Sequence, residues 1–137
     1  MKKIILLLML LIPFNIQALE VSSKSAILMD EDTGRILYKK GIDDKRLIAS
    51  TTKIMTAVIA LESGKMDDLV TVTDDILKAY GSNIYLSINE EIYLKDLVYG
   101  LMLRSGNDAA IAISVYVSGS IEDFVSAMNK KASQIGM

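Results

Sequence analysis

The run Ala49-Ser-Thr-Thr-Lys-Ile-Met-Thr56 carries a hydroxyl at Ser50 and an amine at Lys53. In an α-helix, residues i and i+3 share a face, with Cβ atoms roughly 5–6 Å apart. Lys53 can therefore reach back to Ser50. No other Ser-x-x-Lys occurs in the chain. This stretch predicts a helix that brings a nucleophile and a base together.

The residues after this pair have helical periodicity. Ile54, Val58 and Leu61 recur at i, i+4 and i+7, and Gly64 ends the pattern. We expect this apolar stripe to face the core. Ser50 would then lie at the helix N-terminus, where backbone N–H groups and the helix dipole favour negative charge near its oxygen.

The composition narrows the chemistry available to Ser50. The 137 residues include no His and no Cys, which excludes a Ser-His-Asp triad, a thiol nucleophile and an ordinary zinc site. The base must then be Lys, Asp or Glu, and Lys53 is the best placed. We expect no metal and no cofactor. A hydrophobic content of 51% with 23% charged residues is typical of one globular domain.

Residues 1–18 resemble a secretory signal peptide. Lys2 and Lys3 form a basic start, residues 4–14 are apolar, and residues 15–18 are mostly polar and end in a small residue. The apolar run is shorter than the ~20 residues that a membrane-spanning helix needs, so we expect export and cleavage. Removing residues 1–18 takes away two Lys and no acid, which changes the net charge from −2 to −4. That charge argues against a nucleic-acid partner.

The region after the signal peptide begins with strand signals. Two β-prone runs, residues 25–30 and 35–39, flank a polar turn that ends in Gly34, which predicts an N-terminal β-hairpin. Residues 69–73 form a further β-prone run. Strands followed by helices indicate an α/β (α+β) fold with an antiparallel sheet.

The last third of the chain is predicted to be helical. Apolar residues repeat with helical spacing at Leu94, Leu97, Val98, Leu101 and Met102. This helix should end at residues 104–107, with Gly106 as a left-handed C-cap. Another helix is expected over residues 108–117, and a last one from Ser120, with Asp123 in a capping box.

Two motifs together resemble a known family. Ser-x-x-Lys on a helix, followed by Ser105-Gly-Asn107 in an interhelical loop, is a signature of β-lactamases and penicillin-binding proteins. Residues 49–57 and 96–110 closely resemble the serine D-alanyl-D-alanine carboxypeptidases, the low-molecular-weight penicillin-binding proteins of bacterial cell-wall maturation. The similarity extends over nearly all of residues 24–137. A second Ser-x-Asn, at Ser87, does not follow an amphipathic helix.

The resemblance implies a role for each residue of these motifs. Ser50 would attack the carbonyl between the last two D-alanines of a peptidoglycan stem peptide, forming an acyl-enzyme that water hydrolyses, and β-lactam antibiotics would acylate the same oxygen. Lys53 would act as the base, and Ser105 would relay the proton to the leaving amine. Asn107 would bind the substrate amide and steady Lys53. The protein would act in the periplasm or at the outer face of the cytoplasmic membrane or cell wall.

The third motif of that signature, Lys-Thr-Gly, does not occur in these 137 residues. We therefore expect residues 19–137 to form the N-terminal part of a β-lactamase/DD-peptidase-like catalytic domain, truncated before the remaining sheet strands and inactive alone. Peripheral membrane association would need a C-terminal region that is absent here. The alternatives are an inactive exported fragment and a class A β-lactamase-like hydrolase, which typically has Asp where this chain has Gly106.

Overall fold

The computed structural model describes residues 20–137. The predicted signal peptide, residues 1–18, lies outside the described residues. The chain divides into two units, one ending at Arg46 and the other spanning Leu47–Met137.

The first unit contains the predicted β-hairpin. Strand β1 (Ala26–Met29) pairs antiparallel with β2 (Ile36–Lys40). In the turn, the Asp30 carboxylate accepts the N–H of Thr33 at 2.9 Å. Gly34 takes a φ of +69°, a conformation that glycine adopts without the steric penalty of a Cβ. No residue between 20 and 46 is buried. The hairpin is therefore defined by the hydrogen bonds and backbone conformation of its turn and not by a buried core.

The second unit combines helices with a short antiparallel sheet. Its elements are α1 (Thr52–Glu62), β3 (Leu69–Thr71), β4 (Glu91–Tyr93), α2 (Leu94–Arg104), α3 (Asn107–Ser118) and α4 (Ile121–Gln134). Two 3-10 turns, Ala49–Thr51 and Asp74–Lys78, precede α1 and follow β3. Helices together with antiparallel strands confirm the predicted α/β (α+β) class.

The hydrophobic core lies between the helices and the β3–β4 sheet. Its buried apolar residues are Ala57, Ala60, Val70, Val72, Ile76, Leu94, Leu97, Leu101, Ala109, Ala112, Ile113 and Phe124. The predicted stripe of α2 is confirmed at Leu94, Leu97 and Leu101, which are fully buried, whereas Met102 is 47% exposed. The inner face of α2 is therefore narrower than the pattern indicated.

The predicted inner face of α1 is wrong. Ile54 and Leu61 are 55% and 56% exposed, whereas Ala57 and Ala60 are buried. Helix α1 packs against α2, α3 and α4, and small side chains allow helices to approach closely. Lys53, one turn before Ala57, lies on the same face as these alanines. The buried face of α1 thus directs the lysine towards the neighbouring helices.

Strand β4 was not predicted. It has three residues and leads directly into α2 at Leu94. Three residues are too few for the alternation of apolar and polar side chains that predicts a strand. The pairing with β3 continues beyond the strands, because Val72 N–H donates to Glu90 O and Asn89 N–H donates to Val72 O, both at 2.9 Å. These bonds support the segment that leads from the Asp74–Lys78 turn to α2.

Helix α4 begins as predicted. The Ser120 hydroxyl oxygen accepts the N–H of Asp123 at 3.0 Å, and Phe124 in the next turn is buried. Between residues 20 and 137, no single helix is long and apolar enough to cross a membrane. The α3–α4 pair, bent by 85°, meets those criteria only when taken together.

Candidate active site

Ser50 lies in the 3-10 turn that leads into α1. The turn is closed by the Thr51 N–H, which donates to Ile48 O at 3.2 Å. The preceding residue, Ala49, has a φ of +48°, a left-handed conformation that is costly for a residue with a Cβ. Ser50 is exposed. The predicted nucleophile is thus accessible at the N-terminal end of the helix.

The α2–α3 loop differs in one respect from the prediction. The left-handed residue is Ser105, with φ +56° and ψ +35°, and not Gly106, which is extended and caps α3. The packing around Gly106 is close, because a Cβ there would lie 3.0 Å from both Ile84 Cγ2 and Asp108 Oδ1. The strained backbone is therefore at the serine of the motif.

A line of hydrogen bonds joins the three predicted catalytic residues. Lys53 Nζ donates to the Ser105 hydroxyl at 2.8 Å and also to the Ser105 carbonyl. The Ser105 hydroxyl donates to Ser50 Oγ at 2.9 Å. Lys53 thus reaches Ser50 through Ser105, whereas the helical spacing alone predicted direct contact.

Two features of the surroundings shift the pKa of Lys53 in opposite directions. Partial burial lowers the pKa of the Lys53 amine, and the nearby Asp108 carboxylate raises it, with a net decrease from the usual value. A lower pKa increases the neutral fraction of the amine at any given pH. The neutral amine is the form that can accept a proton from a hydroxyl.

Asn107 is held by residues 80–82, for which the sequence pattern predicts neither a helix nor a strand. Its side-chain amide donates to the Tyr80 carbonyl, and its backbone N–H donates to Ser82 O at 2.7 Å. The backbone approaches closely here, because a Cβ on Gly81 would lie 3.3 Å from Asn107 Nδ2. The expected role of Asn107 in steadying Lys53 remains a prediction, since the described bond of its side chain goes to Tyr80.

Asp108 was missed as a site residue. It is only 4% exposed, and its carboxylate accepts backbone N–H groups from Ile84 at 3.0 Å, Leu86 at 3.1 Å and Ala109 at 2.8 Å. An acidic residue in the first turn of a helix is usually interpreted as a favourable partner of the helix dipole. Its position directly after Ser-Gly-Asn was the available signal.

A cavity of about 500 Å³ opens beside Ser50. It is lined by Ala49, Ser50, Thr52, Lys53, Thr56, Lys78, Ala79, Tyr80, Asn107, Ala110, Ile111 and Met128. The volume is within the roughly 300–1,000 Å³ usual for ligand pockets. The structure thus brings a hydroxyl, an amine and a side-chain amide to the wall of one cavity, with a second hydroxyl joining the first two.

The sequence of this chain is similar to those of known proteins. The family described as D-alanyl-D-alanine carboxypeptidase matches residues 13–137. The D-alanyl-D-alanine carboxypeptidase DacF of Bacillus subtilis is 42% identical over 120 residues, which are 84% of this chain and 31% of that protein. DacA of Haemophilus influenzae is 33% identical and aligns with 90% of this chain and 34% of its own length.

Solved structures show the same fold. Penicillin binding protein 5 from Haemophilus influenzae superposes with a TM-score of 0.81 at 32% identity, covering 89% of this chain and 38% of that one. This chain therefore spans about a third of the length of these three relatives. With the family match over most of its residues and the shared fold, the chain belongs to the D-alanyl-D-alanine carboxypeptidase family.

Proposed function

We propose that the protein containing this chain is a serine-type D-alanyl-D-alanine carboxypeptidase that trims peptidoglycan stem peptides. The observation that carries the proposal is the hydrogen-bonded line from Lys53 through Ser105 to Ser50. It supplies a nucleophile, a relay and a base without histidine. Membership of the family supports the choice of substrate.

In the proposed reaction, Ser50 Oγ attacks the carbonyl carbon between the last two D-alanines. Its proton passes towards Lys53, directly or through Ser105, and the developing oxyanion is stabilised by backbone N–H groups that include that of Ser50. The C–N bond then breaks. Ser105 passes the proton to the departing amine, so that D-alanine leaves and the shortened peptide stays on Ser50 as an ester.

Water completes the cycle by hydrolysing the ester. Its oxygen adds to the ester carbonyl carbon, and one of its protons passes to Ser50 Oγ as the C–O bond to Ser50 breaks. The shortened peptide leaves as the acid, which ionises to a free carboxylate. A β-lactam would acylate Ser50 in the same way, because its strained amide takes the place of the D-alanyl-D-alanine bond. β-Lactam antibiotics are therefore the second class of ligand in this proposal.

The proposal also includes a location. Residues 1–18 have the composition of a signal peptide, and peptidoglycan lies outside the cytoplasmic membrane. The protein would therefore act in the periplasm or at the outer face of that membrane or the cell wall. Fractionation of cells that express the tagged protein tests this, and recovery in the cytoplasm with residues 1–18 intact would contradict it.

The function is tested on the complete product of the reading frame that encodes these residues, expressed from residue 19. A fluorescent penicillin should attach to the peptide that contains Ser50, and a peptide ending in D-alanyl-D-alanine should release D-alanine. Ser50→Ala should abolish both, whereas Ser87→Ala, a matched change at an exposed serine, should abolish neither.

Other results would redirect the proposal. Labelling that survives Ser50→Ala would place the nucleophile elsewhere. Rapid turnover of penicillin without release of D-alanine would favour a β-lactamase-like hydrolase. A complete product that is neither labelled nor active would favour the inactive exported fragment.

A further inference from the structure

A buried carboxylate at the start of α3 is hydrogen-bonded to residues 83–86. Asp108 is 4% exposed. Its Oδ1 accepts the Ile84 N–H at 3.0 Å and the Ala109 N–H at 2.8 Å, and its Oδ2 accepts the Leu86 N–H at 3.1 Å. Its own N–H donates to the Asn83 side-chain oxygen at 3.2 Å. Asp108 thus fastens residues 83–86 to the start of α3.

The same segment forms part of the support of the proposed site. Residues 80 and 82 hold Asn107, and residues 84 and 86 are held by Asp108. Ile84 packs so closely that a Cβ on Gly100 would lie 2.6 Å from its Cδ1. Residues 80–86, which we call the wall segment, therefore contact α2 at Gly100 and are hydrogen-bonded to the start of α3 at Asn107 and Asp108.

The charge of Asp108 also acts on the predicted base. Asp108 Oδ1 lies 3.0 Å from where a Cβ on Gly106 would stand, and Lys53 donates to the hydroxyl of the adjacent Ser105 at 2.8 Å. The negative charge of Asp108 favours the protonated form of Lys53 and thereby opposes the effect of burial. Two other titratable groups, Lys78 and Tyr80, line the cavity beside Lys53. Lys78 is paired with Asp75 at 2.7 Å, which raises the pKa of the Lys78 amine, so Lys78 stays charged throughout the neutral range. Helix α4 contributes uncharged Met128 to this lining.

We propose that Asp108 is a positioning residue of this site: it holds the wall segment against the N-terminus of α3 and maintains one negative charge beside Lys53. The effect of Asp108 on the reaction rests on the proposed function. The two physical claims of the inference concern wall-segment amides and the titration of Lys53, and both are measurable without any substrate.

An amide cannot replace this carboxylate without loss. Three N–H groups converge on the two carboxylate oxygens, whereas an asparagine presents one oxygen and an NH₂ that cannot accept. Asp108→Asn therefore removes the charge and at least one hydrogen bond while keeping the size of the side chain. A buried N–H left without a partner costs about 1–3 kcal/mol.

The experiment compares the complete reading-frame product with its Asp108→Asn variant. The signal of Lys53 in protein labelled with ¹³C at lysine Cε, assigned from its loss in Lys53→Arg, is followed against pH. Removing the carboxylate disfavours the ammonium, so the titration midpoint of Lys53 should move to lower pH. Amide exchange at Ile84 and Leu86 should become faster.

Two further variants serve as control and safeguard. Asp96→Asn removes one charge at an exposed position of α2 and should leave the Lys53 midpoint and both amides unchanged. Asp108→Ser, which is smaller and admits water, replaces Asp108→Asn if the latter shows no cooperative thermal transition. A folded Asp108 variant with an unchanged Lys53 midpoint, or with unchanged amide exchange, would overturn the inference.

Penicillin acylation separates this inference from the proposed function. If both are correct, the rise of the acylation rate with pH, the acid limb of the pH–rate profile, should move to lower pH in Asp108→Asn. The reason is that acylation needs the neutral amine of Lys53. A purely structural role would lower the rate at every pH without moving the limb, which would overturn the role of the charge. Absence of acylation in the unaltered protein would overturn the proposed function, while the NMR measurements still test Asp108.

Discussion

The two halves of the site are built in different ways. Ser50 and Lys53 lie three residues apart, within one turn and the helix that follows it. Ser105 ends α2 and Asn107 begins α3. Asn107 and its neighbour Asp108 are held by the wall segment, residues 80–86, through hydrogen bonds that span 22 to 27 positions of the chain. The first half depends on local helical geometry, whereas the second depends on tertiary packing.

The difference predicts two kinds of failure. A change in the α1 half should remove chemistry and leave the packing intact. A change near the loop half should act through displacement of Asn107 and Ser105, with a measurable loss of stability.

The largest effect is expected for Lys53→Arg in the complete reading-frame product. A guanidinium keeps the positive charge but cannot lose a proton near neutral pH. Because general-base catalysis typically contributes about 10²- to 10⁴-fold, penicillin acylation should fall by that factor. The rate constant for labelling with a fluorescent penicillin measures it.

A matched variant controls for the substitution itself. Lys95→Arg makes the same change at a surface lysine that pairs with Asp67 at 2.9 Å, and it should acylate normally. Acylation of Lys53→Arg at the rate of the unaltered protein would show that a fixed charge suffices, and the proposed base would be wrong.

An intermediate effect is expected for Gly100→Ala in α2. The new Cβ would lie 2.6 Å from Ile84 Cδ1, and overpacking of this kind costs about 1–3 kcal/mol. A helical Gly→Ala change by itself gains about 1 kcal/mol, so the net loss of unfolding free energy should be at most about 2 kcal/mol. Acylation should fall roughly tenfold, equivalent to about 1.4 kcal/mol, as the wall segment moves.

The double variant Ile84→Val/Gly100→Ala tests whether this clash is the cause. Valine lacks the Cδ1 atom that the new methyl group would meet, so stability and acylation should both recover in part. Urea unfolding and penicillin labelling measure the two effects. A double variant no better than Gly100→Ala would show that the wall segment does not transmit the change.

The smallest effect is expected for Ser120→Ala at the N-cap of α4. Loss of the bond from the Asp123 N–H, 3.0 Å long in the structure, should cost about 1 kcal/mol of unfolding free energy. Ser120 does not line the cavity, so acylation should not change. A fall in acylation comparable to that of Gly100→Ala would mean that any loss of stability affects the site, and the contrast between its halves would disappear.

The predictable parts of this structure are those with local causes. The hairpin follows from Gly34 and its flanking β-prone runs, and α4 follows from the Ser120 cap. Ser50 and Lys53 were recognised from their i, i+3 spacing, although Lys53 reaches Ser50 through Ser105 and not directly. Ser105 and Asn107 were singled out by the position of their motif after an amphipathic helix, because the motif at Ser87 has the same spacing.

The errors arose where packing decides. The inner face of α1 is lined by small alanines, whereas hydrophobic periodicity favoured the larger Ile54 and Leu61. The left-handed position was assigned to Gly106 because glycine tolerates it best, but Ser105 adopts it. Asp108 was missed because its partners, the wall-segment amides, come from a distant part of the chain with no clear secondary-structure signal.

The left-handed backbone of Ser105, at φ +56°, has a consequence for engineering and natural selection. The conformation costs roughly 1–2 kcal/mol for a residue with a Cβ, yet it accompanies the hydroxyl that lies between Lys53 and Ser50. Glycine would relax the backbone and lack the hydroxyl. A screen for thermal resistance alone would therefore favour Ser105→Gly, whereas selection for turnover would retain serine, so thermostability and catalysis compete at this position.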